Sequence, residues 1–501
     1  MTGRSIFRVL RWAGLAAVAP VLWACNARTL EKPNLTPEQT YGKTFQQTIN
    51  RNVDMLFMVD NSSSMRLSQD NLNRNFPVFM QRLMDPPGLP NIHVAVVSSD
   101  MGAGDGSVAS CDSMGGNNGV FQYTPRGTCT SSGLQNGATF ISNINGQANY
   151  TGNLPDVFTC IAALGESGCG FEHQFASITR ALGVDGRGAA PQENQDFLRP
   201  DAYLVIVLIT NEDDCSATPG VPLFDTTANT NMASQLGPPA NFRCNEFGHL
   251  CDDGTGTNTF IHPNRNAPNL DVAATVMYPS CRSNDQEGYL LGAADTANRI
   301  KSLKADPSQV IVAAITGPAM PYTVTWKAPS TADTSCNTNG QSCPWPVIAH
   351  SCTATDGSFA DPSVRIGEFV NQFGANGLIL PICTDNFGPS LDRIAALINA
   401  SLQPPCIQQK VAMKPGTQEP DCTVVSHTQN SLGQFMDGIV PWCGSGAAAP
   451  CWQLDPAGMG CANGSIVHVM PDPNVPMSTA QNATVNCSLC DPMFPDPNRG
   501  C

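Results

Sequence analysis

Apolar residues along this chain fall into short runs that end in acids, serines or glycines, and these runs alternate with segments of helical spacing. Val53-Asp-Met-Leu-Phe-Met-Val59 has the length of a strand and stops at Asp60 and a Ser-rich turn. A run apolar on both alternating faces predicts a strand buried in a parallel sheet. Helical spacing follows at Leu72, Phe76, Phe79, Met80 and Leu83. Pro77 is expected to kink or restart that helix, because its ring removes a backbone donor. The alternation continues with a strand at Ile92–Ser98, helical spacing at Phe171, Phe175, Ile178 and Leu182, and a strand at Tyr203–Thr210 that ends in Asn211-Glu-Asp-Asp214. A helix with Leu290, Leu291, Ala294, Ala297, Ile300 and Leu303 on one face leads to strand Gln309–Ile315. A helix around Ile366–Phe373, a strand at Leu378–Ile382 and a helix over Pro389–Leu402 close the series. This order predicts an α/β fold with a doubly wound, mostly parallel sheet, covered by helices on both faces.

Three stretches interrupt the pattern, near 101–155, 215–286 and 317–361, and the first is rich in Gly, Asn and Ser. They read as long Cys-rich insertions in an α/β domain spanning 51–402, the first of them lacking a core of its own. After Leu402 the character changes. Residues 403–501 combine closely spaced cysteines with β-like pieces such as Cys422–Val425 and Ser465–Val469. This predicts a small, disulfide-braced, mostly β C-terminal domain, since a unit of that size cannot rest on an apolar core alone.

The chain has 21 cysteines, an odd number, and Cys25 stands apart from the others. Arg4, Arg8 and Arg11 precede a mostly apolar stretch, Trp12–Ala24, which is short for a membrane span of ~20 residues and has the layout of a secretory signal. Leu22-Trp23-Ala24-Cys25 resembles the lipobox of bacterial lipoproteins. The resemblance implies that residues 1–24 are removed and that Cys25 carries lipid, with 25–50 as lipidated residue and tether; secretion without lipid is the other outcome. Acyl chains would attach the protein to a membrane of the bacterial cell envelope, the outer membrane being the expected one. An even set then remains for disulfides: Cys111, Cys129, Cys160, Cys169, Cys215, Cys244, Cys251, Cys281, Cys336, Cys343, Cys352 and Cys383 in the α/β region, and Cys406, Cys422, Cys443, Cys451, Cys461, Cys487, Cys490 and Cys501 in the tail. Persistent pairing requires an oxidising compartment, in agreement with export.

Candidate chemistry lies at the end of the first strand, in Asp60-Asn-Ser62-Ser-Ser64-Met65. A carboxylate with hydroxyls two and four residues on, straight after a buried strand, aims hard oxygen ligands at one point, a set that suits Mg²⁺ with waters completing its octahedron. The plainer reading is a helix N-cap with Ser/Asp turn chemistry. In register, this segment resembles the metal-ion-dependent adhesion site, D-x-S-x-S, of the von Willebrand factor type A family. The resemblance covers roughly 50–402 without the insertions and implies a Rossmann-like α/β domain. It also implies a divalent cation, Mg²⁺ with Mn²⁺ or Ca²⁺ as alternatives, and a partner that supplies a carboxylate to the metal. The family typically has Thr-Asp-Gly after the fourth strand, whereas this chain has Thr210-Asn211-Glu212-Asp213-Asp214. Asp213 is therefore the expected acid, with Asn211 and Asp214 as further candidates. The family also has a Thr on a loop before a helix; here the loop reads Gly165-Glu-Ser167-Gly-Cys-Gly-Phe-Glu172, leaving Ser167 or Glu172 to substitute.

A net charge of −15 without any run of Lys or Arg excludes a nucleic-acid partner. H-E-x-x-H and G-x-S-x-G are both absent, and the seven histidines are scattered without ligand spacing, so no enzyme is expected. The leading expectation is an envelope protein that binds a protein or extracellular polymer bearing carboxylates through its metal. The second is a structural envelope lipoprotein in which metal and disulfides only stabilise.

Overall fold

The fold is built outward from strand β1 (Asn52–Val59), whose buried side chains divide between two cores. Val53, Met55, Phe57 and Val59 point into one, under helices α1 (Arg66–Leu83), α2 (Leu154–Ala162) and α7 (Gly388–Leu402). Leu56 and Met58 point into the other, under α3 (Gln174–Ala181), α5 (Ala293–Lys301) and α6 (Val364–Asn371). A further helix, α4 (Phe242–Gly248), belongs to the second insertion. Phe57 anchors the first core, with the rings of Phe76, Phe79 and Phe158 around it at 4.9–5.8 Å. Each such buried ring contributes about 1.5–3 kcal/mol. The computed structural model describes residues 44–47, 51–85, 89–103, 111, 115–144, 146–225, 229–329, 332–402, 407–429, 435–456, 464–470, 482–493 and 495–501.

The sheet has seven strands: β1, β2 (Asn91–Ser98), β3 (Ile141–Ile144), β4 (Gln147–Ala148), β5 (Tyr203–Ile209), β6 (Val310–Thr316) and β7 (Gly377–Pro381). Their order is β7-β6-β5-β1-β2-β3-β4. β7, β6, β5, β1 and β2 are parallel, and β3 and β4 add an antiparallel edge. The chain leaves β1 to one side for β2 and returns to the other side for β5, so the topological switch point lies at β1 and β5. Register then decides which residues meet. Val59 is opposite Ser98 on one side and Ile209 on the other, so the next residues, Asp60, Ser99 and Thr210, lie side by side at the carboxyl end. This is the doubly wound α/β architecture expected from the spacing.

Several details depart from the sequence reading. α1 runs unbroken through Pro77, which is solvent-exposed, so the carbonyl it leaves unbonded need not be buried. The first insertion supplies β3 and β4 to the central sheet and closes with α2, capped by the Asn153 side chain on the Asp156 N–H (2.9 Å). The second and third insertions share a core: Tyr322–Lys327 pairs with both Thr275–Tyr278 and Trp345–Ile348 around buried Tyr322, Val324 and Trp326. Six disulfides brace this region, joining Cys111 to Cys169, Cys129 to Cys160, Cys215 to Cys244, Cys251 to Cys281, Cys336 to Cys343, and Cys352 to Cys383.

The C-terminal region is β-rich, with Val424, Trp452, Val467 and Val485 in its core. Its disulfides join Cys422 to Cys487, Cys443 to Cys451 and Cys490 to Cys501. Thr44–Gln47, expected to be tether, pairs antiparallel with Asn482–Cys487 of this region. Cys25, Cys406 and Cys461 lie outside the described residues, as does Trp12–Ala24. Among the described residues no helix is long and apolar enough to cross a membrane.

Candidate metal centre

Asp60 is fully buried, and its carboxylate accepts three hydrogen bonds. Oδ1 takes the Ser62 N–H (2.8 Å) and the Ser99 hydroxyl (3.1 Å); Oδ2 takes the Thr210 hydroxyl (2.7 Å). Ser62 Oγ lies 3.4 Å from Ser64 Oγ, and the Asn211 carboxamide nitrogen donates to Ser64 Oγ at 3.0 Å. Carboxylate, hydroxyls and carboxamide thus converge where β2, β1 and β5 end. None of the motif's side chains caps α1, whose N-cap position is Met65 with no side-chain hydrogen bond. The N-cap half of the plainer reading is therefore not seen, while its turn chemistry is, in the Ser62 N–H on Asp60 Oδ1.

Neighbouring glutamines hold the loops in place. Gln69 Nε2 donates to the Asp60 carbonyl (2.9 Å) and to the Gly165 carbonyl (2.9 Å), while the Gly165 N–H returns a bond to Gln69 Oε1 (3.0 Å). Gln174 Nε2 donates to Thr210 Oγ1 at 3.0 Å. Gly168 seats the second loop on the first: its N–H meets the Asn61 carbonyl at 2.8 Å, and a Cβ there would fall 2.3 Å from Asn61 Oδ1.

The less certain candidates fall in different places. Asn211 joins the cluster through Ser64. Ser167 is exposed on the loop that Gly168 docks, whereas Glu172 is buried, close enough to Asp60 for the two charges to oppose each other. Asp213, the expected acid, is engaged elsewhere: its oxygens take the backbone N–H groups of Arg365 (2.8 Å) and Ile366 (3.0 Å) in the first turn of α6, and His249 Nε2 lies 2.9 Å away. Burial alone would raise this carboxyl, but the His249 ring and the Arg365 N–H reverse that and leave it below the usual range. Asp214 is tied to Arg365 (3.1 Å), the Phe175 N–H (2.9 Å) and the Ser216 hydroxyl (2.6 Å). Both aspartates therefore hold α3 and α6 to the loop, and Asn211 occupies the place beside Ser64.

Sequence reasoning missed Ser99, Thr210, Gln69, Gln174 and Glu212 as members of the site. Ser99 and Thr210 directly follow apolar strands, the signal that found Asp60. Glu212 lines the same cleft as Glu172, and its carboxyl is pushed up to about 8, first by burial and then by the charge of Asp361. Burial also raises Asp60 and, with the charges of Glu212 and Asp60, raises Glu172. Among the described residues no three His, Cys, Asp or Glu side chains converge at ligating distance, so a cation at Asp60 would depend on hydroxyl, carboxamide and water oxygens. These hard donors fit Mg²⁺ or Mn²⁺.

No protein-family model and no curated protein matches the chain. Among solved structures it is similar to the pilus adhesin SpaC from Lactobacillus rhamnosus GG in its open conformation, at 12% identity and a TM-score of 0.26, covering 88% of this chain and 39% of that one. It is also similar to a von Willebrand factor type A from Catenulispora acidiphila (10% identity, TM-score 0.25, 88% and 58% covered). A third is the pilus adhesin RrgA from Streptococcus pneumoniae (11% identity, TM-score 0.17, 88% and 57% covered). The chain spans less than two thirds of the length of each. At such TM-scores these likenesses carry no weight for function. The doubly wound α/β fold itself rests on the strand order and the register at the switch point.

Proposed function

We propose that this chain is a non-enzymatic binding protein of the bacterial cell envelope. Asp60, Ser62 and Ser64, with Thr210 and Asn211, would hold a Mg²⁺ ion, and Mn²⁺ would substitute. A protein or extracellular polymer would engage that ion through a carboxylate. Export and lipidation at Cys25 would anchor the protein to the outer membrane and display the site outward. The observation that carries this reading is charge: Asp60 is fully buried yet faces hydroxyls and the Ser62 N–H, with no Lys or Arg among its hydrogen-bond partners in the described residues. A buried carboxylate is costly without a compensating cation, and the hydroxyls around it are themselves cation ligands. The insertions after β2, β5 and β6 leave from the carboxyl ends of those strands, and loops placed so set specificity.

Mg²⁺ titration of the full chain tests the metal, and retention on an immobilised polyglutamate surface tests the carboxylate. Wild-type chain is expected to bind Mg²⁺ and to be retained only with it; Asp60→Ala and EDTA are each expected to abolish retention. Retention that survives both treatments would overturn the metal-bridged mechanism. Mg²⁺ that raises the melting temperature without retention would favour the structural role.

A further inference from the structure

A cleft opens beside the Asp60 cluster, lined by Glu172, Glu212, Asp213, Asn241, Asn245 and Asp361 among others. Two of these acids already have partners. Asp213 has His249 and the first turn of α6, and Asp361 has His350 Nδ1 at 2.6 Å. Glu172 and Glu212 are different. Both line this one cleft, and among the described residues Glu212 Oε2 takes the Asn241 side-chain N–H at 3.2 Å. Glu172 is 2% exposed, and its Oε1 has no hydrogen-bond partner. Among the described residues neither glutamate forms an ion pair, and the charges that act on them are those of other acids.

Buried polar atoms are almost always satisfied, so an orphaned carboxyl oxygen facing a cleft marks a missing ligand. The interior has room for an ion or a water molecule. The carboxyl and carboxamide oxygens that line it come from separate segments, around Glu172, Glu212 and Asn241. Ca²⁺ accepts such a set, whereas Mg²⁺ demands a near-ideal octahedron.

We propose that the Glu172–Glu212 pair holds a second divalent cation, Ca²⁺, with carboxamide and water oxygens of the cleft completing its shell. Its effect on the partner rests on the reading of the Asp60 centre: the second ion ties the Glu172 and Glu212 segments together beside the place where a carboxylate would arrive. The site itself stands on its own residues.

The Asp60 oxygens are hard donors that also accept Ca²⁺ when it is supplied in excess, so calorimetric Ca²⁺ titration of the full chain counts both sites and separates the two ideas. Wild type is expected to bind two equivalents, and the double variant Glu172→Gln, Glu212→Gln to lose one while Asp60→Ala loses the other. Two equivalents retained by the double variant would overturn the second site, as would a wild-type stoichiometry of one that only Asp60→Ala removes. Binding untouched by Asp60→Ala and lost in the double variant would instead overturn the Asp60 reading and keep this one. The glutamine substitutions keep shape and remove buried charge, so the metal-free melting temperature is expected to equal or exceed that of wild type. Should the variants misfold, Ca²⁺-soaked wild-type crystals decide: an anomalous peak between Glu172 and Glu212 is expected, and its absence at saturating Ca²⁺ overturns the proposal.

Discussion

Asp54 on β1 and Asp60 directly after it lie fully buried towards opposite ends of the same sheet, and the chain treats them differently. Asp54, at the amino end, accepts from Arg199 Nε (2.8 Å) and the Arg199 N–H (2.7 Å), with Lys304 Nζ at 4.0 Å. Burial pushes its carboxyl up to about 6, and these cations restrain it from going further. Asp60, at the carboxyl end, has three hydrogen bonds and two other raised acids in its vicinity. One end is electrostatically completed by the chain's own cations. The other is arranged so that a cation from solution completes it.

Removing the internal cation should produce the largest effect. Arg199→Met leaves Asp54 buried without its closest positive partner, and a loss of roughly 3–5 kcal/mol in urea unfolding is expected, with Mg²⁺ affinity unchanged. A loss below about 1 kcal/mol would erase the contrast between the two ends. Supplying the external cation should act next in size. Mg²⁺ at about a hundred times its Kd is expected to stabilise wild type by about 2.7 kcal/mol, read from thermal melts, and to leave Asp60→Ala unmoved.

Gly168→Ala probes the seam between the two loops of the site. The new methyl would press on Asn61, so a cost of roughly 1–3 kcal/mol and weaker Mg²⁺ binding are expected together. Unchanged affinity would detach the loop from the site. The gentlest effect is pH dependence without metal. Glu212 is raised from 4.5 to about 8 in the folded chain, and Glu172 moves in the same direction. Their protonated forms therefore favour the fold: the stabilisation is complete below about pH 4.5 and fades as pH rises through about 8. Melting temperature in EDTA should fall across that interval, and less steeply in Glu212→Gln.

Much of this was legible in order and little of it in detail. The β1, β2, β5 and β6 runs were visible because strands buried on both faces must be apolar throughout, and β7 was visible as a short apolar run at the sheet edge. β3 and β4 were not, since Ile141–Ile144 has a single buried side chain and no apolar run to betray it, and Gln147–Ala148 at the edge is exposed. The shared core of the second and third insertions was hidden for another reason: Tyr278, Tyr322 and Trp326 come from segments far apart in sequence, and only pairing makes them one cluster. At the site, the Asp60 motif could be read locally. The expectation for Asp213 counted acids along the chain, whereas α6 drew that side chain to its own first turn and left Asn211 beside Ser64.

The sequence by itself determined what depends on neighbours in the chain: the alternation of strand and helix, the hydroxyls two and four residues after Asp60, and a cysteine inventory suited to an oxidising compartment. Only the tertiary structure decided what depends on register. Val59 opposite both Ser98 and Ile209 places Ser99 and Thr210 on the Asp60 carboxylate, and loop closure brings Glu172 against Glu212. Local spacing can aim a side chain along its own element. Which charges then share one dry volume is set by strand pairing and packing between distant segments, and that sharing makes Asp54 a completed ion pair and Asp60 a candidate metal ligand.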